Sequence, residues 1–343
     1  MKEATVSKGP KVHIVDSPVP EPGADQVLIK VVVSGSNPKD WKVPEWMDTN
    51  INQGDDIAGI VEKVGANVTE FKPGDRVAAF HEMRTPHGSY AEYAIAWAHT
   101  TFHIPAKTSF EEAAAIPLAA MTAAVGLYTR LGLPEPWRPA AEPTPLVIYG
   151  AASAVGYYAT QLARKSNIHP LVCVAGRAKD HVETVIDRSK GDTIVDYRDG
   201  DEAVVAGLKE ALGQGGLPPA LHAFDAVSEK GSYVNISKVL AKGAKMTLVL
   251  PGKEYQGVPE GIEKSITSVG SVHSKIEAER DFGFVFFRYF ARGLEQGWFK
   301  PQRHEVVPGG LAGIQQALQN LKDGKASGVK YVFRIAETEG VSR

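Results

Sequence analysis

Four apolar residues, Leu146-Val147-Ile148-Tyr149, run straight into a turn of small side chains, Gly150-Ala151-Ala152-Ser153-Ala154-Val155-Gly156, and a helical pattern then continues through Gln161-Leu162-Ala163-Arg164. No other stretch constrains the fold as strongly. A strand that turns this tightly into a helix aims the unbonded N–H groups of the first helical turn at whatever lies beyond the strand end. Strand patterns recur at 171–175, 193–195, 223–227 and 245–250, separated by helical or mixed segments. Parallel strands need such crossovers, so the repetition predicts an α/β, Rossmann-type, doubly wound parallel sheet over residues 119–272.

The first third reads differently. β-Branched residues dominate 26–33, a second strand at 57–65 ends on Gly65, and the turn Lys72-Pro73-Gly74-Asp75 precedes a third at 76–80. Short strands punctuated by Gly and Pro predict a compact, β-rich, barrel-like domain. Ser109 is placed to cap a helix that Pro117 interrupts, and a second helix is expected from Met121 to Leu131. The proline-rich stretch 134–145 reads as a surface loop. An aromatic helix at 282–290 and a last strand at 331–333 are expected to return to the first domain, giving one domain of 1–118 with 273–343 and another of 119–272. At 343 residues, two domains are a better expectation than one enlarged core.

Charge is nearly balanced, 38 basic against 40 acidic residues, which excludes the field that holds nucleic acid. No apolar run approaches the ~20 residues of a membrane span, and the polar N-terminus lacks a secretory signal, so a soluble, cytoplasmic protein is expected. The lone cysteine, Cys173, supports neither an internal disulfide nor a multi-cysteine zinc site.

Against the fingerprint G-x-G-x-x-G, positions 151, 153 and 156 read Ala, Ser and Gly. A small-residue turn packing a helix on a sheet would look similar, but the strand–turn–helix setting favours a pyrophosphate cradled by Ala152, Ser153, Ala154 and Val155, with the Ser153 hydroxyl available to phosphate. An NAD site would carry a carboxylate at the end of the next strand. The segment here is Ala175-Gly176-Arg177-Ala178-Lys179, with Asp180 read as already inside the following helix. Gly176 with the cations Arg177 and Lys179 suits a 2′-phosphate, so the expected cofactor is NADPH. Solvated loop charges are the competing reading.

Further motifs recur in a fixed order: Asn37-Pro38-Lys39-Asp40, Gly54-Asp55-Asp56-Ile57-Ala58-Gly59-Ile60-Val61 with Val64-Gly65, Pro73-Gly74-Asp75-Arg76-Val77, Ala114-Ala115-Ile116-Pro117 with Thr122-Ala123, and Val195-Asp196-Tyr197-Arg198. In these the chain resembles, over essentially its whole length, the zinc-free, quinone oxidoreductase-like branch of the medium-chain dehydrogenase/reductases. Leu131-Gly132-Leu133-Pro134 and the departure at Ser153 make it similar to fungal trans-acting enoyl reductases of polyketide pathways.

The resemblance implies a GroES-like first domain, Thr122 near the nicotinamide, Tyr197 stacking on the adenosine side, and Asn37 and Lys42 at the mouth between the domains. It also implies that Leu250, Val272 and His273 pass the nicotinamide by their backbones. Lys330 is a weaker candidate, read as a solvated charge. Zinc relatives place a cysteine where Asn37 stands and a His-Glu pair where Asp55-Asp56 stands; His81, His87, His99 and His103 lack sulfur partners, so no metal is expected.

Without a Lewis acid, an enone, enoyl thioester or quinone is an easier hydride acceptor than a simple ketone, because the anion it leaves is delocalised. The expected function is NADPH-dependent hydride transfer in a cleft between the domains, with water or a nearby hydroxyl delivering the proton. Asn37, Lys42 and His81 are the candidates for holding the oxyanion. The substrate is a small molecule, free or carrier-bound by a synthase, and the chain is a monomer or homodimer. An NADPH-binding protein without turnover is the alternative.

Overall fold

The computed structural model describes residues 1–213 and 216–341, and the chain divides into two compact units, Met1–Leu118 with Gly270–Arg343, and Ala119–Val269. The first unit begins with a hairpin of β1 (Lys2–Ser7) and β2 (Lys11–Asp16). Then come β3 (Gln26–Gly35), the helix α1 (Lys39–Met47), β4 (Asp56–Val64), β5 (Arg76–Phe80), β6 (Tyr93–Trp97) and β7 (Thr101–His103). The β-branched run at 26–33 becomes β3, which pairs antiparallel with both β4 and β6. Register shifts at Leu28/Ile29 and Val31/Val33 interrupt the β3/β4 ladder, as bulges do where a strand must bend.

Ser109 caps α2 (Phe110–Ala114) in a reciprocal box: its hydroxyl accepts from Glu112 N at 3.1 Å, and the Glu112 carboxylate accepts from Ser109 N at 2.8 Å. The next helix, α3, starts at Pro117 rather than at Met121 and runs Pro117–Ala124 before continuing as a π-helical stretch, Val125–Arg130. Proline interrupts a helix only from inside. At the first helical position its missing N–H would be unbonded in any case.

The second unit alternates β8 (Leu146–Tyr149), α4 (Ala154–Lys165), β9 (Leu171–Ala175), α5 (Lys179–Glu183), β10 (Thr193–Asp196), α6 (Asp201–Leu212), β11 (His222–Asp225), α7 (Ser232–Ser237), β12 (Lys245–Leu248) and β13 (Glu263–Ile266). Every strand pair is parallel, in the order β10-β9-β8-β11-β12-β13. Counted from β8, that is 3-2-1-4-5-6, the order of a doubly wound dinucleotide-binding sheet, whose crevice opens where the order reverses, beyond β8 and β11. β8 and β9 are buried throughout, as parallel strands covered on both faces must be.

The chain re-enters the first unit at 269/270, three residues before the expected 273, and adds α8 (Glu277–Gln296), β14 (His304–Val306), α9 (Gly313–Lys322) and β15 (Lys330–Arg334). β15 pairs antiparallel with β3, so the last strand does return to the first sheet. The seven-stranded sheet then runs β14-β15-β3-β4-β5-β7, with β6 also on β3. Its core joins Val27, Ile29, Val31, Ile57, Val77 and Phe333 to Leu311, Ile314 and Leu318 of the return segment. Each side chain so buried contributes roughly 1.5–3 kcal/mol. Among the described residues, no helix is long and apolar enough to cross a membrane.

Candidate functional site

The turn after β8 has the form its sequence predicts. Ser153 caps α4, its hydroxyl oxygen accepting from Gly156 N at 3.1 Å, which leaves the hydroxyl hydrogen to donate outward. Ala152, Ser153, Ala154 and Val155 are half-buried while the flanking Ala151 and Gly156 are fully inside. A Cβ at Gly156 would lie 2.3 Å from the Gly150 carbonyl oxygen and 2.7 Å from Ala151 Cα, so the third glycine of the fingerprint is needed for α4 to approach the turn. The first two fingerprint positions tolerate Ala and Ser.

At the end of β9, Gly176 is covered by the ring of Tyr197: a Cβ there would meet Tyr197 Cε1 at 2.5 Å. Tyr197 remains 47% exposed, an aromatic face open to stacking. Arg177 is exposed and, among the described residues, has no ion-pair partner, whereas Lys179 lies 3.7 Å from Asp196. Asp196 is gripped more tightly by Arg198, at 2.5 Å, which with a further backbone bond from Arg198 holds its carboxyl well below the usual carboxylate range. Asp196 is thus already neutralised, and among the described residues Arg177 has no ion-pair partner. Asp180 lies in the first turn of α5, as read.

Across the reversal point, Asp225 ends β11. Its carboxylate accepts from Val227 N at 3.0 Å, Ser228 N at 2.8 Å and Ser232 Oγ at 2.6 Å, tying the loop beyond the strand, where Ser228 has φ 57° and Lys230 φ 52°. Burial pushes this carboxyl above its ordinary value. The Leu250 carbonyl accepts from Tyr255 Oη at 2.5 Å, and Thr122 is buried on α3.

In the first unit, Asn37 lies inside a charged network. Its Nδ2 donates to Asp56 Oδ2 at 2.7 Å, and its Oδ1 accepts from Lys330 Nζ at 3.0 Å. Lys330 also reaches Asp56 Oδ2 at 2.5 Å, with side chains 3% and 0% exposed, and Leu118 N donates to Asp56 Oδ1 at 2.7 Å. Lys330 is therefore not the solvated charge its place in the sequence suggests: β15 inserts between β14 and β3 and carries the ammonium inward.

Beside this pair, Lys39 bridges Asp55 and Asp40, while Tyr90 Oη donates to Asp40 Oδ2 at 2.6 Å. Burial raises the carboxyls of Asp40 and Asp55 to about 6 each against the opposing pull of Lys39, and the Lys39 ammonium is held above its ordinary value because those carboxylates outweigh its own burial. The resemblance pointed to Asn37, Asp55 and Asp56 individually. It gave Lys39 only as part of a motif and Lys330 only as a weaker, solvated candidate, and it missed Tyr90, whose spacing carries no signal because α1, β4, β15 and the loop before β6 bring these residues together.

Lys42 is half-buried on α1 beside the Trp41 ring. His81 is buried, with Nδ1 2.7 Å from the Ile95 carbonyl and Nε2 3.2 Å from Thr85 Oγ1, so both ring nitrogens are engaged within the fold and neither faces a substrate anion. Val272 is buried and its carbonyl accepts from His99 Nε2 at 2.9 Å. His273 is half-buried, its Nε2 3.3 Å from Thr100 Oγ1, and burial drives its imidazole down to about 3.

The positions that carry metal ligands in zinc relatives do not fit zinc. An amide stands in place of a thiolate, and the two carboxylates are already paired with ammonium groups. Among the described residues, no group of three or more His, Cys, Asp or Glu is arranged to hold a metal ion.

The Alcohol dehydrogenase GroES-like domain model matches residues 23–106. The chain is 54% identical over 318 residues to the trans-enoyl reductase fsr4 of Gibberella fujikuroi, covering 91% of this chain and 92% of the relative. It is 31% identical over 365 residues to the trans-enoyl reductase resD of Aspergillus sclerotiorum, covering 96% and 99%. The solved quinone oxidoreductase from Coxiella burnetii superposes with a TM-score of 0.73 at 19% identity, covering 97% of this chain and 99% of that one, a likeness of fold.

Proposed function

Since the chain belongs to the enoyl reductase-like branch of the medium-chain dehydrogenase/reductase superfamily, an oxidoreductase lineage acting on enoyl groups, we propose that it reduces the double bond of a carrier-bound enoyl thioester with NADPH and without zinc. The observation that carries the cofactor choice is Arg177, exposed and, among the described residues, without an ion-pair partner just past the end of β9, beside an Asp196 already consumed by Arg198 and Lys179. A 2′-hydroxyl would leave that guanidinium without a partner; a 2′-phosphate supplies one.

When bound, NADPH supplies the hydride. The chain's part is to hold and orient. The N-terminus of α4, with the N–H groups from Ala152 to Val155 and the Ser153 hydroxyl, would take the pyrophosphate. Tyr197 over Gly176 would stack on the adenine, with Lys179 near it, and Thr122, Leu250, Val272 and His273 would position the nicotinamide end. Lys42 would hold the substrate side together with the Asn37 amide, whose two polar atoms are fixed by Asp56 and Lys330. The delocalised anion left by hydride addition needs only such hydrogen bonds, and the proton comes from water or a nearby hydroxyl.

Titration of the purified protein with both coenzymes, with and without Arg177→Ala, tests the cofactor reading. Loss of one charged hydrogen bond, worth about 1.5–3 kcal/mol, predicts a roughly 10- to 100-fold weaker NADPH affinity in the variant and little change for NADH. Equal affinity of the wild type for the two coenzymes would refute it. An acceptor panel of enoyl thioesters against quinones tests the substrate: turnover confined to quinones would overturn the enoyl assignment, and tight NADPH binding with no turnover on any acceptor would leave a binding protein.

A further inference from the structure

The chain passes between its two units twice, and the two crossings are built differently. The first, at 118/119, lies inside the continuous helix α3, and Leu118 N is fixed to the buried Asp56. The second, at 269/270, is a single 3-10 turn, Val269–His273. Hydrogen-bonded helix holds its own geometry; one short turn does not, and hinge motion is absorbed by a few such residues.

From Gly270 on, that turn belongs to the first unit and is clamped inside it. His99 Nε2 donates to the Val272 carbonyl at 2.9 Å, and Val272 is 1% exposed. Gly283 on α8 leaves the slot Val272 fills: a Cβ there would lie 3.0 Å from Val272 Cβ. His273 packs against Phe80 at 4.8 Å and edge-on to His99 at 5.9 Å. The receiving turn is itself held, because Arg288 donates to the His99 carbonyl at 3.2 Å and the Ala98 carbonyl at 3.1 Å while paired with Glu70. Burial, with Arg280 and Arg288 nearby on α8, lowers the His99 imidazole below its ordinary value against the opposing pull of the Val272 carbonyl and, less, of Glu82; a carbonyl partner can only accept, so Nε2 is the donor.

We propose that His99 is a positioning residue for the reduction, a latch whose hydrogen bond to Val272 fixes the Val269–His273 turn and with it the Val272 and His273 backbones that the proposed function puts at the nicotinamide. It touches no reacting atom. The inference rests on the reductase reading for its effect on turnover, but the latch itself is measurable without turnover.

The test uses the full chain. His99→Phe keeps a ring and removes the donor; His99→Gln keeps an N–H within comparable reach. With the latch open, amide exchange across 269–274 accelerates and kcat falls about 10- to 100-fold, the scale of an ångström-sized misplacement. His99→Gln restores most of both. Should His99→Phe fail to fold, Gly283→Ala presses on Val272 from the opposite side without touching His99 and should accelerate the same amides. Unchanged exchange at 269–274 in the variants, unchanged kcat in His99→Phe, or no rescue by His99→Gln overturns the proposal. A wild type that exchanges slowly there but oxidises no NADPH refutes the reductase reading and leaves the latch standing.

Discussion

Replacing Lys330 with methionine strands a buried charge. The ammonium serves Asp56 Oδ2 at 2.5 Å and Asn37 Oδ1 at 3.0 Å, and the neighbouring Lys39 is already committed to Asp40 and Asp55. Were the pair exposed, its loss would cost below about 1 kcal/mol. At 3% and 0% exposure, removing one partner costs about 3–5 kcal/mol, because the carboxylate stays in the interior without a counterion. Leu118 N and Asn37 Nδ2 still donate to Asp56, which sets the expectation near 3 kcal/mol rather than 5. Adding Asp56→Asn removes the stranded charge, so the double variant should return to within about 1 kcal/mol of the wild type. Urea unfolding followed by tryptophan fluorescence reads the first unit, which holds Trp41, Trp46, Trp97 and Trp298. A single variant costing under 1 kcal/mol would show that the ammonium is solvated. A double variant no more stable than the single would show that packing, not charge, was lost.

Gly156→Ala places a methyl 2.3 Å from the Gly150 carbonyl, so α4 must move off the turn; the overpacking costs about 1–3 kcal/mol and should weaken NADPH binding at least tenfold by calorimetry, and unchanged binding would dissociate that turn from the nucleotide. His273, held at about 3 by burial with His99 and His81 facing it, takes up no proton in the fold between pH 6.5 and 3 while the unfolded chain does, so its share of stability is lost as pH falls through that window. At pH 5 the loss is about 2 kcal/mol. Asp40 and Asp55, raised to about 6, act with the opposite sign, favouring the fold as pH falls from 6 toward 3.8, so the comparison must be between variants: His273→Asn should show a smaller drop in melting temperature from pH 7 to pH 5 than the wild type, and identical drops would refute the assignment.

The parallel sheet was legible because each of its signals is local. A run such as Leu171 to Ala175 is buried on both faces and therefore apolar at every position, and the capping box at Ser109 spans four residues. β13 escaped notice because an edge strand reading Glu263-Lys264-Ser265-Ile266 has neither an apolar run nor alternation. Pro117 does mark the break after the Ser109 helix, which ends at Ala114, but the same residue also begins the next helix, at its first position rather than at Met121. Lys330 shows the deeper limit: a lysine between Val329 and Tyr331 looks like any strand-edge charge until β3 and β4 bring Asn37 and Asp56 to it across nearly three hundred residues.

The same positions explain why the proposed chemistry asks little of the first unit electrostatically. A zinc ion at 37, 55 and 56 would meet an amide and two carboxylates, each already holding a proton donor or an ammonium, so binding would have to displace Lys39 and the buried Lys330 from their carboxylates. Two lysines against three carboxylates also leave no surplus positive charge there for a localised alkoxide. An acceptor whose anion spreads over several atoms is the one the proposed reduction can serve in such a frame, with its net negative character confined beneath the surface.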